Sequence, residues 1–316
     1  MQDPASFKEY YDKALLPELQ ELEEIRKDQL YRQIYIAVAI FLSILVGVFL
    51  LLPIFILLFL FISLGIYFIM FGMKRKRFRF KQEFKSRIIY KMAAHFYPDL
   101  IYSSHQFVPE SEYIKSGIFV QDPDVYNGED MFQGKVGSTD VTFSEIHTQD
   151  RHRDADGRTT YSTIFRGIFL LADFHKHFSA KTYVLSDFGE RYMGFFGAMF
   201  QQINLMRPGL VKLENTEFEK YFVVYSTDET EARYILSPSL MDRLLQFRIR
   251  TGAMIQCSFV DERVYIALPM RDKMFEPTLY KTVLNYSDIE EFRKEMEFCV
   301  SIIDELNLNT RIWSKH

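Results

Sequence analysis

The sequence predicts an α+β protein tied to a membrane. Its parts are an N-terminal amphipathic helix, a two-helix transmembrane hairpin, a mixed domain with a largely antiparallel sheet, and a C-terminal helix. Three observations predict it. Ile34 to Met73 holds forty residues without one Asp, Glu, Lys, Arg or His. A block of nine Lys or Arg follows directly, between Lys74 and Lys91, against the single acid Glu83. Beyond residue 98, strand-like and helix-like segments do not alternate as βαβ units, which favours antiparallel pairing.

The chain opens with a helix signal. Asp3 can cap and Pro4 can occupy the first turn. Phe7, Tyr11 and Leu15 recur every four residues, and Leu19, Leu22 and Ile25 continue the stripe after Pro17. Residues 1–33 therefore form a cytoplasmic amphipathic helix that runs into the first span. Its stripe packs on the soluble domain or on a second copy, or else receives a partner.

Forty residues of helix would extend roughly 60 Å, while a bilayer core is about 30 Å thick. One straight span is excluded and two fit. Pro53 lies at the midpoint and is the expected turn, giving spans 34–52 and 54–73. The alternative, a buried helical pair in a soluble protein, lacks enough apolar helix elsewhere to surround it. The tip carries no charge, whereas Arg26, Lys27 and Arg32 precede the hairpin and the basic block follows it. Positive residues stay on the cytoplasmic side. Both termini and domain 99–316 are thus expected in the cytoplasm, in a multi-pass inner-membrane arrangement.

Residues 74–98 read as a basic juxtamembrane helix, with Phe84, Ile88, Met92 and Phe96 on one face and Pro98 as its stop. Lys74, Arg75, Lys76, Arg77, Arg79 and Lys81 are the expected contacts to anionic headgroups, worth about 1 kcal/mol per charge near the surface. Basic residues among aromatics can also hold single-stranded nucleic acid. The position beside a span favours lipid. From Met92 onward the chain has 24 basic and 33 acidic residues, the reverse of a nucleic-acid-binding domain.

In domain 99–316 we expect a short helix at Pro109–Lys115 and a turn at Asn127–Asp130. Strands are expected at 134–136, 140–148, 164–174, 181–185, 210–213 and 221–225. Gln149–Thr160 reads as a charged loop. Ser237 and Pro238 open a helix that Gly252 closes. Ala253–Phe259 and Arg263–Leu268 form a hairpin. Ser287 and Glu290 suggest a capping box for the last helix, with Ile289, Phe292, Met296, Cys299, Ile303 and Leu306 as its stripe. Cys257 and Cys299 read as lone buried thiols, without a zinc or disulfide spacing.

Known chemistry is hard to find. Asp154 to Gly157 fails as a calcium loop, because Arg158 and Phe165 stand where oxygen ligands belong. Asp173, His175 and His177 alternate, but such residues at a strand end are usually its wet face. Asp187-Phe188-Gly189 lacks every companion of a kinase signature, and no phosphate-binding, nucleotide or hydrolase motif occurs. Phe195–Phe200 reads as core or membrane-surface contact. We therefore expect no metal and no cofactor, and the sequence assigns no catalytic residue.

Several blocks carry a family resemblance: Tyr10-Tyr11-Asp12-Lys13-Ala14-Leu15-Leu16-Pro17, the two spans, Tyr126–Asp130 through Phe143–Glu145, Phe165–Phe169, Leu213–Asn215 through Tyr234–Leu236, and Leu306–Trp313. Together they resemble bacterial domain-of-unknown-function family 3137 over nearly the whole length. That resemblance implies a bacterial membrane protein with a cytoplasmic domain, and a complex with LemA-type membrane proteins encoded nearby. It supplies no catalytic residue.

The expected role is a membrane-anchored binding or scaffold module, oligomeric through the N-terminal helix and hairpin, with no nucleic acid bound. The alternative is an enzyme acting on a lipid or membrane-linked substrate, with Glu129, Asp130 or Glu145 in a cleft. Transport would need many copies, since uncharged spans give an ion no path in a monomer.

Overall fold

The computed structural model describes residues 4–49, 78–154, 157–174, 177–186, 209–271 and 273–306. The chain divides into two compact units. One is Met1–Met92 with Phe275–Lys294, the other Ala93–Met274 with Glu295–His316.

The first unit begins with helix Pro4–Tyr10, passes through one π turn at Tyr11–Leu15, and continues as a single helix, Leu16–Phe49. Those 34 residues rise about 51 Å. Phe7, Tyr11, Leu15, Leu19 and Leu22 are all buried, the stripe expected from the sequence. Each such side chain contributes roughly 1.5–3 kcal/mol. Past Arg26 the pattern changes. Tyr31, Tyr35 and Phe41 are 57%, 72% and 67% exposed, and Ile34, Val38, Leu42, Ile44 and Leu45 are also uncovered. The helix has become apolar on all sides, which suits hydrocarbon rather than water. Ser6–Leu45 is long and apolar enough to cross a membrane by length and composition, a test that a signal sequence also passes. The expected turn at Pro53 and the second span lie outside the described residues.

The chain is described again from residue 78. It is helical through 84, makes a π turn at Lys85–Ile89, and continues as Tyr90–Phe96. Phe80, Phe84, Ile88 and Met92 are fully buried at spacing four. Residues 275–285 then clamp the base of the long helix. Arg26 donates two hydrogen bonds of 2.8 Å to the Glu23 carboxylate and a third of 2.5 Å to the Leu279 carbonyl. The Val283 amide donates to Glu23 at 3.1 Å, and the Tyr11 hydroxyl to the Leu284 carbonyl at 2.6 Å.

This clamp predicts a pH dependence. The Arg26 hydrogen bonds lower the Glu23 carboxyl from its ordinary 4.5, against burial and with help from the Val283 amide. The unfolded chain therefore binds its proton first as pH falls. Stability from this group is complete above about pH 4.5 and is lost as pH drops through the folded-state value. Melting curves between pH 6 and 3 should show the loss, and Glu23→Gln should flatten it. An equally steep slope in Glu23→Gln would assign the effect to other carboxylates.

The last helix, Tyr286–Glu305, starts one residue before the expected capping box. The cap is Asn285, whose side-chain oxygen accepts from the Ser287 amide at 3.3 Å. Ser287 lies inside the first turn, so the Ser–Glu spacing was coincidental. The predicted stripe holds: Ile289, Met296, Cys299, Ile303 and Leu306 are buried. Phe292 meets Phe84 edge-on at 5.7 Å.

The second unit is built on a nine-stranded sheet: β1 (Leu100–Ser103), β2 (Val125–Val136), β3 (Thr139–Arg153), β4 (Thr159–Asp173), β5 (Thr182–Ser186), β6 (Leu210–Val211), β7 (Phe222–Ser226), β8 (Gln256–Val260) and β9 (Arg263–Pro269). Its order is β1-β2-β3-β4-β9-β8-β5-β7-β6, and every described pairing is antiparallel, as the sequence implied. Helices occupy Glu110–Ser116, Thr216–Glu219, Glu229–Ile235 and Pro238–Thr251. Ser237 caps the last of these and Gly252 ends it in the left-handed conformation, as expected. An aromatic core gathers Tyr113, Phe119, Phe165, Phe169 and Tyr265, with Tyr113 stacked on Phe119 at 4.9 Å. Cys257 and Cys299 are buried free thiols.

Two expectations are corrected. Asn127–Asp130 is not a turn; it lies inside β2, where Glu129 pairs with Glu145. The Asn-Gly pair marks a bulge instead, with the register shifting between Glu129 and Phe132 and Asp130 at φ 62°. Gln149–Thr160 is not a loop either. Arg151 faces Tyr161 and Arg153 faces Thr159, so most of it is a two-stranded arm, with Asp154 and Arg158 hydrogen-bonded to each other beyond the last pair. Charge hid the arm, because neither of its faces is buried and no apolar alternation marks it.

Candidate functional site

Two features stand out, one in each unit. The first is the foot of the long helix. Arg87 pairs with Glu18 at 3.1 Å and with Glu21 at 2.7 Å, and Lys91 also pairs with Glu18. Burial works against the Glu18 carboxylate, yet Lys91 and Arg87 still hold it below the ordinary range. Of the expected headgroup contacts, Arg79 is exposed at the start of the described helix. Lys81 pairs with Glu276, and Lys85, fully buried, lies 3.6 Å from the same carboxylate. Lys74, Arg75, Lys76, Arg77 and Pro53 lie outside the described residues.

The second feature is the bulge in β2. Glu129 and Asp130 come from the bulge and Glu145 from the paired position on β3. One carboxylate oxygen from each lies within 4.8 Å of the others. Asp130 and Glu145 are 2% and 4% exposed. The bulge produces this: the left-handed Asp130 places consecutive acids on the same patch, where a regular strand would send them to opposite faces. The Tyr102 hydroxyl donates to Asp130 at 2.5 Å, the Met274 amide donates to Glu145 at 3.0 Å, and Lys273 pairs with Glu129. Burial, then Asp130, raises the Tyr102 hydroxyl and keeps it a donor. His147 follows Glu145 by two on β3 and faces Arg166 on β4; burial, then Arg166 and Lys273, lowers it.

Three carboxylates so close repel when all are ionised. They can share a proton, or supply oxygen to a hard cation such as Ca²⁺ or Mg²⁺. The sequence offered these acids as candidates but could not bring them together. The bulge does so, and the Asn-Gly-Glu-Asp string is the one signal that could have announced it. His177 lies 3.8 Å from Glu262, while His175 is outside the described residues.

A long apolar helix joined to an antiparallel-sheet domain defines the class: a helix-bearing α+β protein with a charged bulge on its sheet. Residues 163–308, a little under half of the chain, match the family described as "Protein of unknown function (DUF3137)". No curated protein matches the chain. A solved structure, the crystal structure of the mycobacterial trehalose monomycolate transport factor A, TtfA, is similar over 70% of this chain and 96% of that one. The identity is 8% and the TM-score 0.36.

Proposed function

We propose that this protein is a cytoplasmic binding or scaffold module anchored in the bacterial inner membrane by a two-span hairpin. Both termini stay in the cytoplasm, and other membrane proteins or further copies assemble on it. One observation carries the reading. The ion pairs Glu18–Lys91, Glu18–Arg87 and Glu21–Arg87 step backward along one helix as they step forward along the other. The two helices are therefore antiparallel neighbours. At equal rise per residue, the midpoints of these pairs would fit the proposed turn at Pro53, which supports the reading. From Glu21 to Phe49 the first arm rises about 42 Å, enough to clear the foot and cross most of a bilayer core.

Headgroup contact by residues 74–81, LemA-type partners and self-assembly belong to the same reading. Alkaline extraction of membranes combined with cysteine labelling in intact cells tests it. The protein should stay in the pellet, and a cysteine behind Leu306 should be labelled only after the inner membrane is opened. Labelling from outside, or release by alkali, would overturn the proposal.

The acid cluster favours a second reading, an enzyme working on a lipid or membrane-linked substrate, because the three acids are gathered rather than scattered. Carboxylates held together for chemistry oppose stability. Glu145→Gln should then raise the melting temperature of the second unit. A lowered one assigns Glu145 to structure, through its bond from the Met274 amide.

A further inference from the structure

The arm made by β3 and β4 has two unlike edges. β2 covers β3 only as far as Gln149, and β9 covers β4 only from Gly167. Beyond those points both strands run on as a ribbon, and among the described residues no strand pairs with either outer edge. Folded proteins blunt such edges with charge, proline or shortness. The outer strands of the sheet, β1 and β6, are four and two residues long. The free stretch of β3 reads Asp150-Arg151-His152-Arg153 and carries one acid and two arginines. The free stretch of β4 reads Thr159-Thr160-Tyr161-Ser162-Thr163, exposed throughout, with no charge and no proline. Threonine and tyrosine are strong strand formers. Among the described residues no strand covers this uncharged, fully exposed edge.

Charge indicates what would sit on it. Arg151 and Arg153 alternate, so they share a face with Tyr161 and Thr159, their cross-strand neighbours. Asp150 is turned to the opposite face and lies 3.2 Å from His152; Asp154 accepts from the Arg158 amide at 2.7 Å. Among the described residues no carboxylate pairs with the side chains of Arg151, Arg153 or Arg158. A strand added beside β4 would lie about 5 Å from it and about 10 Å from β3. An acidic side chain on that added strand and a long guanidinium side chain on β3 span that gap.

We propose that the 159–163 edge of β4 receives an extended acidic segment of a partner protein by strand addition. Backbone hydrogen bonds hold the segment, and Arg151 and Arg153 select Asp or Glu at alternate positions.

The test uses full-length protein in detergent micelles and three synthetic ten-residue peptides: alternating Thr-Glu, alternating Thr-Lys, and Thr-Glu with alternate amides N-methylated. The Thr-Glu peptide should bind and weaken at least tenfold between 50 and 500 mM salt. The Thr-Lys and N-methylated peptides should bind at least tenfold more weakly. R151E/R153E should lose the preference for Glu and keep its melting temperature. Equal binding of the N-methylated peptide would mean unspecific attraction and overturn strand addition. Absence of binding would overturn the proposal, as would concentration-dependent self-association that T160K abolishes, since a second copy would then be the occupant.

Discussion

Replacing Arg26 with alanine is expected to destabilise the first unit by about 3–5 kcal/mol, the usual cost of leaving one member of a buried ion pair alone. Glu23 and Arg26 are 4% and 7% exposed, so water cannot take over the lost partner. The Leu279 carbonyl loses its donor at the same time. The change should appear as an earlier thermal transition in detergent and as faster hydrogen exchange at residues 279–285. Replacing both Glu23 and Arg26 with methionine should cost much less, because no charge is then stranded. If the single and double variants melt together, the pair is not what ties the loop to the helix.

Gly167→Ala is the second large effect, about 3 kcal/mol or more. Gly167 sits at φ 152°, and an added Cβ would lie 2.0 Å from the Leu268 carbonyl oxygen and 2.7 Å from the Met270 amide nitrogen. Both atoms belong to backbone that cannot turn aside. Gly167 is also where β4 first pairs with β9, opposite Pro269. The substitution should therefore open the β4–β9 pairing, seen as lost amide protection from Ile168 to Ala172. Gly209→Ala is the control, since its added carbon would be 3.9 Å from the nearest atom, the Ser226 carbonyl oxygen. Equal melting of the two variants would count against steric exclusion at 167.

Gly167 lies in one of the blocks that carried the family resemblance, and its geometry gives a reason for that block. The bulge containing Glu129 and Asp130 lies in another. Neither block announces chemistry, and the structure accounts for the first through packing alone.

What the amino-acid string determined was local or compositional. Apolar spacing of three and four marked the buried stripes at Phe7–Leu22 and Phe84–Met92, because a helix face repeats at that interval. Pro238 and Gly252 bounded a helix because their backbones favour a first turn and a left-handed end. Tertiary structure alone decided the rest. It put Glu145 opposite Glu129, a pairing fixed by register between two strands. It also tied Glu23 to Val283, 260 residues away. The arm at 149–163 escaped sequence reading for the opposite reason: a ribbon exposed on both faces buries nothing, so nothing in its composition had to alternate.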